Sequence, residues 1–336
     1  MNKTTDTAKA RIGVVGGGAW GTALAKLLAD KGFVLDLWVF EHDVKVQIEN
    51  ERENTVFLPH IKLPDNIVPT NDLETAVKEK DLVLVVVPSH CMREMAGRMK
   101  DYISPDTIVV TASKGIENIT HMTMTQILAE KIDFLPKENI AVLSGPSFAK
   151  EVANKIPTVV AAAATSRDVS EYIQKIFSCP TFRVYINDDP VGTQIGGAMK
   201  NVLAIAAGIC DGMKMGLNPR AALITRGLTE MNRLGTKLGA DPLTLAGLAG
   251  VGDLLLTCTG ELSRNYTVGK QIGEGKNLDE IISEMRMVAE GVKTTKSVYN
   301  LSKKLGVDLP ICNEVYFVLF EGLYVEETVQ PLMNRS

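Results

Sequence analysis

The sequence predicts a doubly wound α/β domain over residues 1–190 and an all-α domain over residues 191–336. Three observations carry that prediction. The 336 residues exceed what one hydrophobic core usually serves, so two domains are expected. In the first part, short apolar β-rich runs alternate with longer helical stretches, as in a parallel sheet covered on both faces. From Val191 onward helical periodicity takes over and strand signals fade. The polar turn Asn187-Asp188-Asp189-Pro190 marks the change.

The expected strands are Arg11–Val15, Val34–Phe40, Leu82–Val87, Thr107–Thr111, Ile140–Leu143, Thr158–Ala163 and Phe182–Ile186. Several are unbroken apolar runs, which suits strands buried on both faces. Thr22–Lys31 and Thr120–Lys131 read as helices between them. In the second part Val191–Met213 reads as a long, mostly apolar helix. Arg220–Leu238 follows, with Asn218 as N-cap, Pro219 as first helical residue and Gly239 closing it. Leu278–Val288, Thr294–Leu305 and Glu314–Gly322 complete the expected helices.

Composition narrows the classes of function. Hydrophobic residues make up 45% and charged residues 23%, ordinary values for a globular chain. A net charge of −4 gives no global positive field, so nucleic acid is not an expected partner and any anion must be held by a local set of donors. The five cysteines, Cys91, Cys179, Cys210, Cys258 and Cys312, are far apart and form no CxxC. They suit reduced thiols, and their spacing offers no metal site. No apolar run reaches the length of a bilayer span, and residues 1–10 are polar, so a cytoplasmic protein without membrane insertion is expected.

Gly16-Gly17-Gly18-Ala19-Trp20-Gly21 places glycines in the pattern G-x-G-x-x-G, between an expected strand and an expected helix. Gly16 permits a tight turn, Gly18 lets backbone approach a pyrophosphate, and Gly21 lets helix pack on strand. The helix N-terminus then favours the phosphates. This makes the first domain Rossmann-type and a nicotinamide dinucleotide, NAD or NADP, its expected cofactor. The second strand runs into Phe40-Glu41-His42. A carboxylate at Glu41 suits the ribose hydroxyls of NAD and repels the extra phosphate of NADP; a solvated loop glutamate is an equal alternative. Asp36 has a suitable spacing but lies within the strand.

Lys200 lies in the helical segment Gly196-Gly197-Ala198-Met199-Lys200-Asn201. A helical side chain leans over the positions three and four before it, here two glycines. That bare face could take a flat ring or a small substrate, and the apolar setting would lower the lysine pKa toward acid–base use. Close helix packing by the glycines and a snorkelling surface lysine are the alternatives. Asp253, after Gly250-Val251-Gly252, could orient an ammonium or simply cap a helix. Ser263-Arg264-Asn265 could clamp a phosphate or carboxylate, or cap a helix beside an exposed arginine. Ser113-Lys114-Gly115 and Ser144-Gly145-Pro146-Ser147 each follow an expected strand, where open α/β sheets bind ligands or merely turn.

Taken together, GGGAWGTALA at 16–25, ASKG at 112–115, SGPSFA at 144–149, GGAMKN at 196–201, GVGD at 250–253 and SRN at 263–265 resemble the NAD(P)-dependent glycerol-3-phosphate dehydrogenases of bacterial type across nearly the whole chain. The resemblance implies reversible reduction of dihydroxyacetone phosphate to sn-glycerol 3-phosphate for glycerophospholipid synthesis. It implies Lys200 as proton donor and acceptor, with Lys114 and Asp253 completing the catalytic group. It implies substrate contacts from Lys114, Gly145, Ser147, Lys200, Asn201, Asp253, Thr257, Ser263, Arg264 and Asn265. Cofactor contacts are implied at Gly16, Gly18, Ala19, Trp20, Gly21, Lys114, Ala149, Arg264, Val288 and Glu290. A homodimer also follows from the resemblance. Bacterial-type members often carry arginine after the second strand; Glu41 and His42 stand there here, so the choice between NAD and NADP stays open. A β-hydroxyacid or 6-phosphogluconate type of dehydrogenase, and a non-catalytic dinucleotide sensor, are the competing readings.

Overall fold

The computed structural model describes residues 7, 9–260, 262–285 and 289–334. The chain divides into two compact units. One contains Met1–Ser113 and Met124–Pro190; the other contains Lys114–Thr123 and Val191–Ser336. The ten residues after Ser113 thus cluster with the helical unit, although the sequence organisation predicts them in the first.

The strands of the first unit are β1 (Ile12–Val15), β2 (Leu35–Trp38), β3 (Glu53–Asn54), β4 (Leu58–Lys62), β5 (Ile67–Thr70), β6 (Leu82–Val85), β7 (Ile108–Thr111), β8 (Ile140–Ser144), β9 (Thr158–Ala164) and β10 (Phe182–Asn187). Eight form one sheet in the order β10-β9-β8-β7-β6-β1-β2-β5, and β3 pairs with β4 apart from it. The centre is parallel, with Val14 opposite Leu37 on one side and Leu84 on the other. β1, β6 and β7 are buried at every residue, which is why they read as unbroken apolar runs. Strand β9 runs antiparallel to β8, a departure from an all-parallel sheet. The expected strands all form, shortened or extended by a residue or two.

Helices α1 (Ala19–Asp30), α2 (His42–Glu51), α3 (Leu73–Val77), α4 (Met92–Met99), α5 (Met124–Lys131), α6 (Ala149–Ala153) and α7 (Arg167–Phe177) complete this unit. Its core joins Leu24 and Leu28 of α1 to Ile12, Leu37 and Leu84 of the sheet and to Phe177 and Phe182.

The second unit is helical: α8 (Pro190–Gly212), α9 (Leu217–Lys237), α10 (Pro242–Ala246), α11 (Asp253–Thr259), α12 (Arg264–Gly273), α13 (Leu278–Glu284), α14 (Glu290–Leu305), α15 (Pro310–Phe320) and α16 (Val329–Met333). A π-helical turn, Leu248–Gly252, leads into α11. Helix α8 is its axis, buried at almost every residue from Gly192 to Gly212. Glycines let α12 cross it closely: a Cβ on Gly208 would lie 2.1 Å from the Tyr266 carbonyl oxygen, and one on Gly269 would lie 2.0 Å from that of Ile205. Helix α9 starts earlier than its sequence suggests. Its N-cap is Gly216, so Asn218 is not the cap and Pro219 sits inside the first turn. A proline is tolerated there because first-turn N–H groups have no helical acceptor. Helix α13 ends at Glu284, and residues 286–288 of the expected helix lie outside the described residues. Helix α15 begins at Pro310, one turn before the expected Glu314. Among the described residues no helix is long and apolar enough to cross a membrane.

Candidate active site

In the first unit the glycine turn runs from the end of β1 into α1. Gly16 has φ +123°, and a Cβ there would lie 2.3 Å from the Val86 carbonyl oxygen. A Cβ on Gly21 would lie 1.9 Å from the Gly16 carbonyl oxygen, so neither position accepts a side chain. Gly18, the N-cap of α1, has open space where its side chain would be, and no side chain caps the helix. The first N–H groups of the helix therefore carry the positive end of its dipole without a protein anion. Ala19 and Trp20 open the helix, and Trp20 Nε1 is buried with no hydrogen-bond acceptor among the described residues. A turn that admits only glycine at positions 16 and 21, open space over Gly18, uncapped N–H groups and an orphaned donor fit a pyrophosphate-bearing dinucleotide.

The sequence pattern does not reveal what braces this turn. Asn54, fully buried in β3, donates through Nδ2 to the Gly17 carbonyl (2.8 Å) and to Thr22 Oγ1 (2.9 Å). Thr22 Oγ1 donates to the same carbonyl at 3.1 Å. Only the fold links Asn54 to the glycines.

After β2, Phe40 is exposed and Glu41 is the N-cap of α2, with no capping bond from its side chain. His42 Nδ1 lies 3.0 Å from Asn71 Oδ1. Asn71 Nδ2 donates to the Val39 carbonyl at 2.7 Å, so Oδ1 faces the imidazole and Nδ1 is the donor. Asp36 is occupied by Lys80, 2.5 Å away, which leaves Glu41 as the acidic group at the strand end. Gly145 follows β8 with φ +151°, where a Cβ would meet Val160 Cα at 2.8 Å. Ser147 Oγ donates back to the Gly145 carbonyl (3.0 Å), and Ala149 opens α6.

In the second unit three distant segments meet at Asp253. Lys200 Nζ donates to Asp253 Oδ1 (2.5 Å) and to Thr257 Oγ1 (2.9 Å). Lys114 Nζ donates to Asp253 Oδ2 at 2.6 Å. Thr257 sends its own proton to the Asp253 backbone carbonyl at 2.6 Å, which leaves its oxygen free to accept from Lys200. Asp253 is fully buried and Lys200 nearly so, which rules out a snorkelling lysine. Burial lowers the Lys200 pKa to about 8; Asp253 opposes that shift and the neighbouring Lys114 adds to it. Asp253 is the first residue of α11, whose N-cap is Gly252, and its carboxylate serves the two lysines instead of capping.

Gly196 corrects the expectation of a bare helix face. A Cβ there would lie 2.3 Å from the Ala249 carbonyl oxygen, so the π-helical turn fills that side. The glycine allows the turn to approach α8, and the turn delivers Asp253 to Lys200. The alternative of close packing is what occurs at this position.

Ser263 is the N-cap of α12, its Oγ accepting from the Tyr266 N–H at 3.2 Å. Arg264, the first helical residue, keeps an exposed side chain. Desolvation around its guanidinium lowers its pKa, and Glu290 at the start of α14 partly offsets this. Asn265 donates to Asn201 Oδ1 (2.9 Å) and accepts from the Gly291 N–H (2.8 Å), tying α12, α8 and α14 together. The second unit thus contains Lys114, Lys200, Asn201, Asp253, Thr257, Ser263, Arg264, Asn265 and Glu290, with Lys114, Lys200, Asp253 and Thr257 joined in one set of bonds and Asn201 and Asn265 in another, while Val288 lies outside the described residues.

A glycine-turn unit with a mostly parallel sheet, joined to a helical unit carrying a buried lysine–aspartate group, defines an NAD(P)-dependent oxidoreductase. Two family profiles cover the chain: the NAD-dependent glycerol-3-phosphate dehydrogenase N-terminus matches residues 11–170 and the C-terminus of the same family matches residues 189–330. The chain belongs to the NAD-dependent glycerol-3-phosphate dehydrogenase family. It is 51% identical over 97% of its length to the glycerol-3-phosphate dehydrogenase [NAD(P)+] of Syntrophobacter fumaroxidans, covering 96% of that protein. It is 52% identical to the one from Citrifermentans bemidjiense, with 97% of each chain covered. The crystal structure of glycerol-3-phosphate dehydrogenase from Coxiella burnetii superposes with a TM-score of 0.94 at 39% identity, covering 97% of this chain and 99% of that one.

Proposed function

We propose that the chain catalyses the reversible NAD(P)H-dependent reduction of dihydroxyacetone phosphate to sn-glycerol 3-phosphate, with Lys200 as general acid and base. The observation that carries this reading is a buried lysine with a pKa lowered to about 8, held by Asp253 and Thr257. Such a group is populated in both protonation states near neutrality, so it can donate in one direction and accept in the other. Bound NADH or NADPH supplies a hydride to the C2 carbonyl carbon.

In reduction, Lys200 gives its proton to the C2 oxygen. Lys114 and Lys200 share one carboxylate, so the group carries a net positive charge that favours the negative charge growing on that oxygen. Arg264 and the N-terminus of α12 with Ser263 hold the substrate phosphate. Asn265 and Asn201 fix their helices, and Gly145 and Ser147 supply the substrate loop of the first unit. Gly16, Gly18, Ala19, Trp20 and Gly21 take the dinucleotide phosphates, with Ala149, Lys114, Arg264, Val288 and Glu290 as further cofactor contacts. Glu41 and His42 meet the adenosine ribose. We place the enzyme in the cytoplasm, as a homodimer that feeds glycerophospholipid synthesis; light scattering of the purified protein tests the dimer.

Incubation with dihydroxyacetone phosphate and either NADH or NADPH, followed by absorbance of the reduced cofactor, tests the reaction and the Glu41 argument together. Substrate-dependent oxidation with the steeper dependence on NADH is expected. Absence of oxidation with both cofactors overturns the proposal, and a strong NADPH preference overturns the role of Glu41.

A further inference from the structure

Thr294 lies in α14 and is 1% exposed, yet its hydroxyl has no hydrogen-bond partner among the described residues. A buried hydroxyl without a partner is costly, and a helical threonine usually avoids that cost by bonding to the carbonyl four residues earlier. Its neighbour Thr295 does so, donating to the Gly291 carbonyl at 2.7 Å. Thr294 does not.

The two flanking turns fix where this hydroxyl lies. Three residues earlier, Gly291 packs on α8 so closely that a Cβ would lie 2.7 Å from the Asn201 carbonyl oxygen. Three residues later, Ser297 Oγ donates to the Ile116 carbonyl at 2.7 Å. Asn201 is the residue after Lys200, and Ile116 is two residues after Lys114. On a helix, positions three apart lie one above the other with a steady angular offset, so Thr294 falls midway between those contacts in height and direction. Position 294 therefore faces the interval between the two backbone segments that carry the lysines sharing Asp253.

We propose that Thr294 is a substrate-binding residue of this reaction: its hydroxyl, which has no partner among the described residues, hydrogen-bonds the bound substrate beside the Lys200–Asp253–Lys114 group. The inference rests on the reading of that group as the catalytic centre. A second buried hydroxyl without a partner, Thr193 Oγ1, serves as the control. It lies on α8 seven residues before Lys200, about 10 Å along the axis.

The test compares Thr294→Val, Thr294→Ser, Thr193→Val and Lys200→Ala in full-length protein. Three readouts are used: kcat and KM for dihydroxyacetone phosphate, calorimetric titration of glycerol 3-phosphate into protein saturated with the reduced cofactor, which cannot accept a hydride, and the Tm of ligand-free protein. Loss of one hydrogen bond to the ligand predicts roughly tenfold weaker binding of glycerol 3-phosphate and a matching loss of kcat/KM for Thr294→Val. The ligand-free Tm should hold or rise, because valine removes an unsatisfied group. Serine should restore binding, and Thr193→Val should raise Tm with unaltered kinetics. Unchanged binding and kcat/KM in Thr294→Val, or a clear fall in its ligand-free Tm, overturns the inference. Normal turnover in Lys200→Ala overturns the catalytic reading instead, and the calorimetric result then judges Thr294 by itself.

Discussion

Each unit holds an ammonium whose pKa is lowered by desolvation, half-buried at Lys31 and buried at Lys200, and the two do different work. In the first, Lys31 Nζ donates to the backbone carbonyls of Lys175 (3.0 Å), Ile176 (2.5 Å) and Ser178 (2.6 Å) at the end of α7. In the second, Lys200 Nζ meets a carboxylate and a hydroxyl beside another lysine. Lys31 satisfies carbonyls that a helix end leaves without donors and complements the negative end of the dipole. Nothing in that arrangement calls for a proton to leave. The Lys200 arrangement has a carboxylate that can keep its position while the lysine changes charge. A lowered pKa therefore does not mark a functional lysine by itself; the partners do.

The largest expected effect follows from removing the ammonium that moves a proton. Lys200→Ala should lower kcat by about 10²–10⁴-fold, the usual worth of a general acid or base. Asp253 keeps Lys114 as a partner in that variant, so the fold should persist, as circular dichroism would report. Near-normal turnover would sink the assignment and reduce the contrast with Lys31 to one of position.

With a pKa of about 8, Lys200 is the proton donor in reduction only while charged, so kcat for ketone reduction should fall as pH rises through about 8. Oxidation of glycerol 3-phosphate needs the neutral amine and should rise through the same window. Stability carries its own sign. The folded pKa lies below the unfolded value of 10.5, so between about 8 and 10.5 the unfolded chain binds more protons and stability increases with pH. Lys200→Met should flatten that rise in urea midpoints. Equal slopes in the wild type and the variant would show that another group titrates.

The same contrast governs what the sequence discloses. The glycine turn is legible because its function is local: six residues, a strand before and a helix after define backbone geometry, and backbone does the binding. The lysine–aspartate group is not local. Lys114, Lys200 and Asp253 converge only through the fold, and only the resemblance of several motifs together names them in advance. Taken alone, Asp253 reads as a helix cap and Gly196 as an open face. The π-helical turn that settles both has no sequence signal beyond its glycines. Strands β4 and β5 escape for another reason. Each is short and carries a proline, Pro59 or Pro69, which an outlying strand tolerates. Asn54 shows the limit most plainly: a buried amide more than thirty residues from the turn it braces has no local pattern to betray it.

The smallest effect on turnover is expected at the other ammonium. Lys31→Met keeps the aliphatic stem and removes the donor, leaving three carbonyls near the α7 terminus without it. Loss of such charge-assisted bonds costs about 1–3 kcal/mol, which chemical denaturation resolves as a lower midpoint with an unchanged slope. The kcat per folded molecule should stay at the wild-type value because no proton transfer depends on Lys31. Lys31→Arg should recover part of the stability, since a guanidinium also donates to carbonyls and needs no proton exchange to do so. A large loss of kcat in folded Lys31→Met would show the capping lysine to be coupled to the chemistry and not only to the end of a helix.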